Sequence, residues 1–249
     1  GSTLAMRQTN IIVRLITSRT PGIEIQVRII KTKGDIMQDI SLVKIGGKGV
    51  FVKEIEEALL NNEIDMAVHS MKDVPSELPE GLIIAATPPR EDPRDVLISR
   101  HHRKLENMPQ GARIGTGSLR RGIQIGRLLP DIEIVPLRGN LDTRIKKIET
   151  DNLEGIIVAA AGMRRMGWQK KVSQFIPVEV MVPSAGQGAL ALELRSGDKD
   201  SYEIVSFLND SKTWLEVHAE RAFLKKMGGG CQLPMAAYAK QEGLMMTVR

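Results

Sequence analysis

The chain contains a single cysteine, Cys231, within the glycine-rich segment 228–234 (GGGCQLP). A lone cysteine cannot form an intramolecular disulfide, so it either packs in the interior or reacts. The three preceding glycines place no side-chain bulk beside the sulfur, which favours an exposed thiolate that bonds covalently to a bound group. The alternative is a small buried side chain after a helix stop, because free cysteine is among the most buried residue types. The local sequence leaves both interpretations open.

Arginines follow three successive predicted strands in the middle of the chain. The strands cover 113–115, 132–135 and 155–160, and the arginines that come after them are Arg120, Arg121, Arg138, Arg144, Arg164 and Arg165. Guanidinium is the planar, bidentate partner of carboxylates and phosphates, and the first two arginines also begin a helix, where free backbone N–H groups attract anions. The set therefore predicts a ligand with several carboxylates or phosphates. For Arg120 and Arg121 the alternative is a solvated basic face.

Asp73 is the candidate catalytic carboxylate. It lies beside Lys72 in the segment 69–75 (HSMKDVP), directly after a short apolar strand predicted over 65–68. Polar residues crowded at the carboxyl end of a strand are where open α/β sheets bind ligands. The alternative is a capping aspartate before a turn that Pro75 closes.

A second cationic stretch covers 44–49 (KIGGKG) and contains Lys44 and Lys48. It lacks the first glycine and the final Ser or Thr of a phosphate-binding P-loop, which excludes that motif. Two interpretations remain, a mobile cationic loop over an active site and a plain solvated loop.

Composition limits the class of protein. A chain of 249 residues with 42% hydrophobic and 26% charged residues is long enough for two or three soluble globular domains. The net charge of +5 indicates acidic partners, whereas 3% aromatic residues and the lack of a Lys/Arg run argue against nucleic acid. No apolar run approaches a membrane span, no signal peptide opens the chain, and one free thiol fits a reducing compartment. We expect a cytoplasmic protein without a metal site.

The elements that would position these residues alternate between helix and strand. Apolar spacing predicts helices over 4–15, 50–59, 119–128, 141–148, 198–209 and 211–227, and further strands over 23–29, 83–86, 189–194, 235–239 and 244–248. The proline- and charge-rich segment 88–95 predicts a hinge between two lobes. Strand 189–194 is interpreted as the chain crossing back to complete the first sheet.

Seven motifs together resemble one family, porphobilinogen deaminase, also called hydroxymethylbilane synthase. They run in family order along nearly the whole chain and cover 44–54, 69–75, 90–95, 115–121, 137–140, 186–189 and 228–232. Each motif alone is weak, but seven in order are a specific signal.

The resemblance implies an α/β fold with two periplasmic-binding-protein-like lobes with mixed sheets and a smaller α+β C-terminal domain. The implied first domain covers 1–88 and 189–206 and carries the aspartate and the loop. The second covers 94–182 and carries the arginines, and a partial third covers 211–249 and carries the cysteine. The family's third domain extends beyond Arg249 and its first strand precedes residue 2, so we expect a chain shortened at both ends.

The implied reaction condenses four porphobilinogen molecules head to tail, with loss of ammonia, to give hydroxymethylbilane. A dipyrromethane cofactor, bound through a thioether to Cys231, primes it. By resemblance Asp73 is catalytic, and the other cofactor-binding residues are Ser70, Lys72, Thr116, Ser118, Arg120, Arg121, Arg138 and Gly188. The implied substrate-binding residues are Lys44, Lys48, Arg144, Arg165 and Gln187.

Each pyrrole carries an acetate and a propionate, so a bound oligopyrrole is a polyanion that needs many arginines. The rival class is a non-catalytic, two-lobed polycarboxylate-binding protein, which would use the same arginines but needs neither Asp73 nor Cys231. A small-molecule substrate and a monomer are expected, with neither nucleic acid nor a membrane as partner. Gly117 stands where the family more often has serine, a harmless change if backbone N–H groups bind the ligand.

Overall fold

The computed structural model describes residues 2–32, 52–228 and 233–249. In these ranges the α-helices are α1 (Thr3–Arg19), α2 (Lys53–Leu60), α3 (Leu119–Leu128), α4 (Leu141–Thr150), α5 (Ala160–Met166), α6 (Lys199–Ser206) and α7 (Ser211–Lys226). The strands are β1 (Ala67–Ser70), β2 (Leu82–Ala86), β3 (Asp95–Ser99), β4 (Arg113–Thr116), β5 (Glu133–Pro136), β6 (Gly155–Ala159), β7 (Gln174–Ile176), β8 (Leu190–Arg195), β9 (Ala239–Glu242) and β10 (Met245–Val248). Short 3-10 turns cover Met71–Asp73, Arg100–His102, Leu105–Asn107 and Gln169–Lys171.

The described strands form three sheets. The first has the order β1-β8-β2, and β8 runs antiparallel to both neighbours. The second has the order β5-β4-β6-β3-β7, in which β4 is parallel to β5 and β6 while β3 is antiparallel to β6 and β7. The third is the hairpin of β9 and β10. The predicted mixed α/β class is confirmed, and so is the interpretation of 189–194 as the chain returning to the first sheet.

Alternating side chains place apolar residues on both faces of the second sheet. On β3, Val96 and Ile98 enter one core cluster, whereas Leu97 enters another on the opposite face. The first sheet buries one face against α1, where Ile12 and Ile16 pack on the leucines of β8. These covered faces fix the strand ends that carry the polar residues.

The strand predictions for 23–29 and 235–239 need correction. Residues 235–238 form no strand, and the first strand of the C-terminal hairpin begins only at Ala239. Residues 23–29 form no strand, because no described strand offers them a hydrogen-bonding ladder, although Ile23 and Ile25 still pack partly buried against the first core. The sequence interpretation also missed β3 and β7. All five residues of β3 are buried, so it shows no alternation, and its first residue, Asp95, had been included in the hinge.

None of the helices in the described ranges combines the length and apolar character needed to cross a bilayer.

Candidate active site

The turn that carries Lys72 and Asp73 is held at the carboxyl end of β1. The Met71 amide donates to Ala189 O at 3.0 Å, which ties the turn to the strand entering the first sheet. Gly186 (φ +70°) packs against the same turn, where a Cβ would lie 2.6 Å from Met71 Cγ. Only glycine fits this approach, so the crossing segment and the turn position each other.

Helices from two other parts of the chain complete the support of this turn. From α7, Arg221 donates to Val74 O at 3.1 Å and to Pro75 O at 2.6 Å. From α1, the buried Gln8 donates through Nε2 to Ser70 Oγ at 3.0 Å. The backbone on both sides of Asp73 is therefore fixed, while Asp73 itself is half-buried.

The charge of Asp73 acts on both Lys72 and Arg144, and the charge of Arg138 acts on Arg144. We call Lys72, Asp73, Arg138 and Arg144 the cleft cluster. Burial lowers the pKa of Lys72, and Arg121 and Arg144 lower it further against the opposing effects of Asp73 and Asp95. Burial lowers the pKa of Arg144 to about 10, with Arg121 and Arg138 adding to the effect and Asp73 opposing it. Because the charge of each neighbour contributes to these pKa shifts, the groups lie within range of one another's electrostatic field.

The cleft cluster has more positive charge than its own carboxylate balances. Arg144 Nε donates to Gly139 O at 2.7 Å, a backbone contact that leaves its charge uncompensated. Arg138 is half-buried and has no hydrogen bond or ion pair with a described residue. Like charges held together in a partly buried site favour an added anion.

Arg120 and Arg121 differ from this cluster, because a buried carboxylate of the protein compensates their charge. Arg120 Nη1 donates to Asp95 Oδ2 at 2.7 Å and to Val182 O at 2.7 Å, and Arg121 Nε donates to Asp95 Oδ1 at 2.9 Å. Both arginines are 5% exposed and Asp95 is fully buried, so the alternative of a solvated basic face is wrong. Although burial acts to raise it, the pKa of Asp95 is lowered by Arg121 and Arg120.

The predicted anion-binding turn before α3 is closely packed. The Ser118 amide donates to Thr116 Oγ1 at 3.2 Å, and Ser118 Oγ caps the helix by accepting from the Arg121 amide at 3.5 Å. A Cβ on Gly117 would overlap Leu137 O, so a serine there would displace the neighbouring loop. Glycine at this position therefore has a packing role in addition to any effect on ligand binding.

The segment that returns to the first sheet buries its polar side chain in the protein. Gln187 is 1% exposed, and its Nε2 donates to Pro93 O at 2.6 Å and to Asp95 Oδ1 at 2.9 Å. The next residue, Gly188, has φ +92°, and a Cβ there would overlap Glu91 O. Arg165 Nη2 donates to Gly188 O at 2.7 Å. Gln187, Gly188 and Arg165 thus meet where the chain crosses between the two larger sheets.

Glu220 on α7 ties the C-terminal unit to the same crossing. Its carboxylate accepts from both terminal nitrogens of Arg90, at 2.7 and 3.1 Å. It also accepts from the Gly186 amide at 2.6 Å and the Ala239 amide at 2.8 Å. Burial raises the pKa of Glu220 although these four donors lower it. The helix that leads toward Cys231 is therefore fixed to the crossing by buried contacts.

A separate buried acidic group lies behind the turn. His69 Nε2 lies 2.9 Å from Glu193 Oε2, and both side chains are buried. Burial raises the pKa of the neighbouring Glu56 to about 7, Glu193 and Glu57 raise it further, and His69 lowers it. No described residue bonds Oε1 of Glu56 or Oε1 of Glu193. No group of metal ligands occurs among the described residues.

Two family models match this chain. One is described as "Porphobilinogen deaminase, dipyromethane cofactor binding domain" and matches residues 1–203, and the other, "Porphobilinogen deaminase, C-terminal domain", matches 214–248. The chain belongs to the porphobilinogen deaminase family. The predicted family, its transferase class and its dipyrromethane cofactor are confirmed.

Curated porphobilinogen deaminases are similar along nearly the whole chain. The protein of Syntrophus aciditrophicus is 59% identical over 249 residues, which is 100% of this chain and 81% of that protein. The protein of Brevibacillus brevis is 50% identical over 96% of this chain and 77% of its own length. Among solved structures, the VFT2 domain of BvgS from Bordetella pertussis (a double mutant) is 13% identical with a TM-score of 0.47, covering 88% of this chain and 82% of that one. This last likeness concerns the fold alone and supports no conclusion about the site.

The residues of the cleft fit the porphobilinogen deaminase cofactor. Dipyrromethane carries several carboxylates, and the cleft cluster has the uncompensated positive charge that such a group needs. Of the predicted site residues, Cys231, Lys44 and Lys48 lie outside the described residues. The structure brings Lys72, Asp73, Arg138 and Arg144 together, with Arg121 beside them, and places Ser70 and Thr116 at the ends of β1 and β4.

Sequence reasoning missed four residues whose buried contacts support the site, namely Gln8, Arg90, Asp95 and Glu220. Asp95 and Arg90 lie in segment 90–95, which was interpreted as part of a hinge and as a family motif, without a role for either side chain. An unbalanced count of arginines near one strand end could have prompted a search for an internal carboxylate. Gln8 and Glu220 lie on ordinary helices, where the sequence does not distinguish a buried polar side chain from a solvated one.

Proposed function

We propose that this chain condenses four porphobilinogen molecules head to tail, releasing ammonia each time, to give hydroxymethylbilane. The observation that carries the proposal is the cleft cluster, in which a carboxylate on a rigid turn lies beside cations that outnumber it. A site for polycarboxylates alone would need the cations, whereas the fixed Asp73 supplies a group that can take part in chemistry.

Asp73 has two tasks in this reaction. Loss of ammonia leaves positive charge on the substrate, and a carboxylate held in place stabilises that charge without reorganising. When the new carbon–carbon bond has formed, a proton leaves the pyrrole ring, and an Asp73 carboxylate oxygen accepts it as general base. The hydrogen bonds to Ser70 Oγ and to the carbonyl oxygens of Val74 and Pro75 keep this oxygen in position through successive additions.

The cations bind and orient the substrate. Each porphobilinogen presents an acetate and a propionate; Arg144 offers a guanidinium group beside Asp73, and Arg138 offers a second one near Arg144. Lys72 adds a compact cation, and Arg165 lies at the crossing with one nitrogen on Gly188 O. We assign Lys44 and Lys48 to the same role over the cleft. Because Gln187 is buried, its effect on substrate acts through the groups it bonds.

Dipyrromethane, when bound, supplies the pyrrole that primes the chain. We propose that Cys231 holds it through a thioether and that Lys72, Ser118 and Arg120 bind its carboxylates. Support comes from Cys231 being the one cysteine of the sequence and from α7, which leads toward it and is tied to the crossing by Glu220.

The division into domains is part of this proposal. We assign 1–88 and 189–206 to the first, 94–182 to the second and 211–249 to the third, because each of the three sheets uses strands from one of these sets. We also propose a monomeric cytoplasmic enzyme that does not bind nucleic acid. The low aromatic content and the single thiol support this, and sedimentation of the purified protein tests the monomer.

Intact mass tests the proposed function. The purified protein should exceed its sequence mass by one dipyrromethane, and Cys231→Ser should not. If the protein is purified without the group, incubation with porphobilinogen should add it to the wild type only. A wild type that never gains the mass and releases no hydroxymethylbilane, while still binding porphobilinogen, would establish the non-catalytic binding protein instead.

A further inference from the structure

Asp95 joins three parts of the chain through one buried carboxylate. Both oxygens are occupied, Oδ2 by Arg120 and Oδ1 by Arg121 and Gln187. It begins β3, immediately after the segment that leaves the first lobe, and it is fully buried. A carboxylate that no solvent reaches cannot touch a substrate, so any effect on the reaction must act through its partners.

Gln187 extends the contact to the return crossing. It donates to Pro93 O and to Asp95, and its Oε1 accepts from Arg121 Nη2 at 3.2 Å. Its own carbonyl accepts from Arg90 Nε at 2.9 Å. The two crossing segments and the start of α3 are therefore joined by one polar network in which each side chain is satisfied on several sides.

The two arginines held by Asp95 are not equivalent. Every nitrogen of the Arg121 guanidinium is engaged, with Nη1 on Ile157 O at 3.3 Å and the others on Asp95 and Gln187. Arg120 uses only Nη1, and its Nε and Nη2 have no partner among the described residues. Nε and Nη2 form one of the edges through which guanidinium binds a carboxylate bidentately.

We propose that Asp95 is a positioning residue of the condensation: it locks Arg121 as scaffold and holds Arg120 by Nη1, leaving the Nε–Nη2 edge for a pyrrole carboxylate. Gln187 sets the place of this edge relative to the two crossings. The inference rests on the proposed function, because the expected ligand is an acetate or propionate of the oligopyrrole.

The test compares Asp95→Asn with Asp92→Asn. Asp92 is a matched control, since its side chain is 7% exposed and ion-paired with Arg94 and Arg164 in the same segment, without contact to Arg120 or Arg121. For each full-length variant we measure Tm, the rate of cofactor gain from porphobilinogen by intact mass, and kcat and KM. Asp95→Asn should slow cofactor gain and lower kcat/KM about tenfold to a hundredfold, as misplaced binding groups do. Asp92→Asn should lower Tm but leave the rate of cofactor gain and kcat/KM near the wild-type values.

A double variant keeps the test decisive if Asp95→Asn does not fold. Asp95→Asn with Gln187→Glu exchanges carboxylate and carboxamide, so that residue 187 can still pair with Arg121 Nη2. Compared with the single variant, the double variant should gain cofactor faster and have a KM closer to that of the wild type.

Three results would overturn the inference: unchanged cofactor gain and KM in Asp95→Asn, equal defects in Asp92→Asn at equal loss of Tm, or no recovery in the double variant. Failure of the proposed function looks different, because the wild type itself would then gain no mass and form no product.

Discussion

The two arginine groups of this protein show how one residue type serves two purposes. Around Asp95, the charges of Arg120 and Arg121 are compensated by an internal carboxylate in a fully buried place. In the cleft cluster, the cations Lys72, Arg138 and Arg144 share one carboxylate, Asp73, so the cluster has excess positive charge. We call Asp95 with Arg120 and Arg121 the closed group, because its charges are balanced within the protein and it holds the scaffold together. We call the cleft cluster the open group, because its excess charge attracts a ligand. The internal counter-ion therefore distinguishes Arg121, whose guanidinium nitrogens are all engaged within the protein, from Arg138 and Arg144. Arg120 combines both uses, because Asp95 holds its Nη1 while its Nε–Nη2 edge has no partner among the described residues.

The largest expected effect is on the chemistry of the open group. Asp73→Asn should lower kcat by about 10²–10⁴, the range for loss of a general base, with Tm nearly unchanged. The measurement is hydroxymethylbilane formation under saturating porphobilinogen. Asp65→Asn is the control, because Asp65 precedes the same strand but its side chain is 81% exposed. A kcat within a factor of about three of wild type would remove Asp73 from the mechanism.

Arg121→Met should break the closed group. It leaves Asp95 with one cation fewer in a fully buried place, and breaking such a pair costs about 3–5 kcal/mol. Chemical denaturation of the cofactor-free protein measures this free energy of unfolding. A loss below about 1 kcal/mol, the usual value of an exposed ion pair, would show that the group is not closed.

Replacing an arginine of the open group by methionine should instead weaken substrate binding and leave the stability nearly unchanged. Arg144→Met removes one of several like charges, so the free energy of unfolding should change by no more than about 1 kcal/mol. The KM for porphobilinogen should rise about tenfold to a hundredfold, as expected for a lost hydrogen bond to a charged group. Steady-state kinetics and denaturation of this variant beside Arg121→Met test the comparison directly, and equal stability losses in the two variants would abolish it.

Glu56 extends the comparison to a buried acid that forms no ion pair with Lys or Arg among the described residues, and here the effect is smallest. Its pKa in the folded protein is raised from 4.5 to about 7, so the native state holds an extra proton between these values. The folded state is therefore most stable, as far as Glu56 is concerned, below about pH 4.5, where Glu56 is protonated in both states. The free energy of unfolding falls as the pH rises to 7, because the unfolded state releases this proton first. Glu56→Gln should remove this decline and raise the stability by about 1–2 kcal/mol at pH 8 relative to wild type.

Thermal unfolding at pH 5 and pH 8 checks this prediction. Glu57→Gln is the control on the same helix, because the Glu57 side chain is 58% exposed. An equal gain from Glu56→Gln at both pH values would contradict the raised pKa.

The sequence predicts the elements well where apolar spacing is regular, as in α1, α3 and β6. It fails at β3, where continuous burial removes the alternation, and at 23–29, where alternation occurs without a partner strand. For the site, the position of Asp73 after a strand predicted its place. The sequence could not show that Arg120 and Arg121 meet Asp95, since pairing across β3 and α3 depends on tertiary packing. Motif resemblance identified the arginines but not which of them have an internal counter-ion.

The strand order of the first sheet determines when it can assemble during synthesis. β1 and β2 each pair with β8 and not with one another, and β8 begins at Leu190, after every strand of the second sheet has been made. At about 5–20 residues per second, the ribosome delivers β8 on the order of ten seconds after β2. The second lobe can fold in that interval, while β1 and β2 still lack β8, the strand with which both of them pair. A nascent chain arrested before Leu190 should therefore be the form that engages chaperones most strongly.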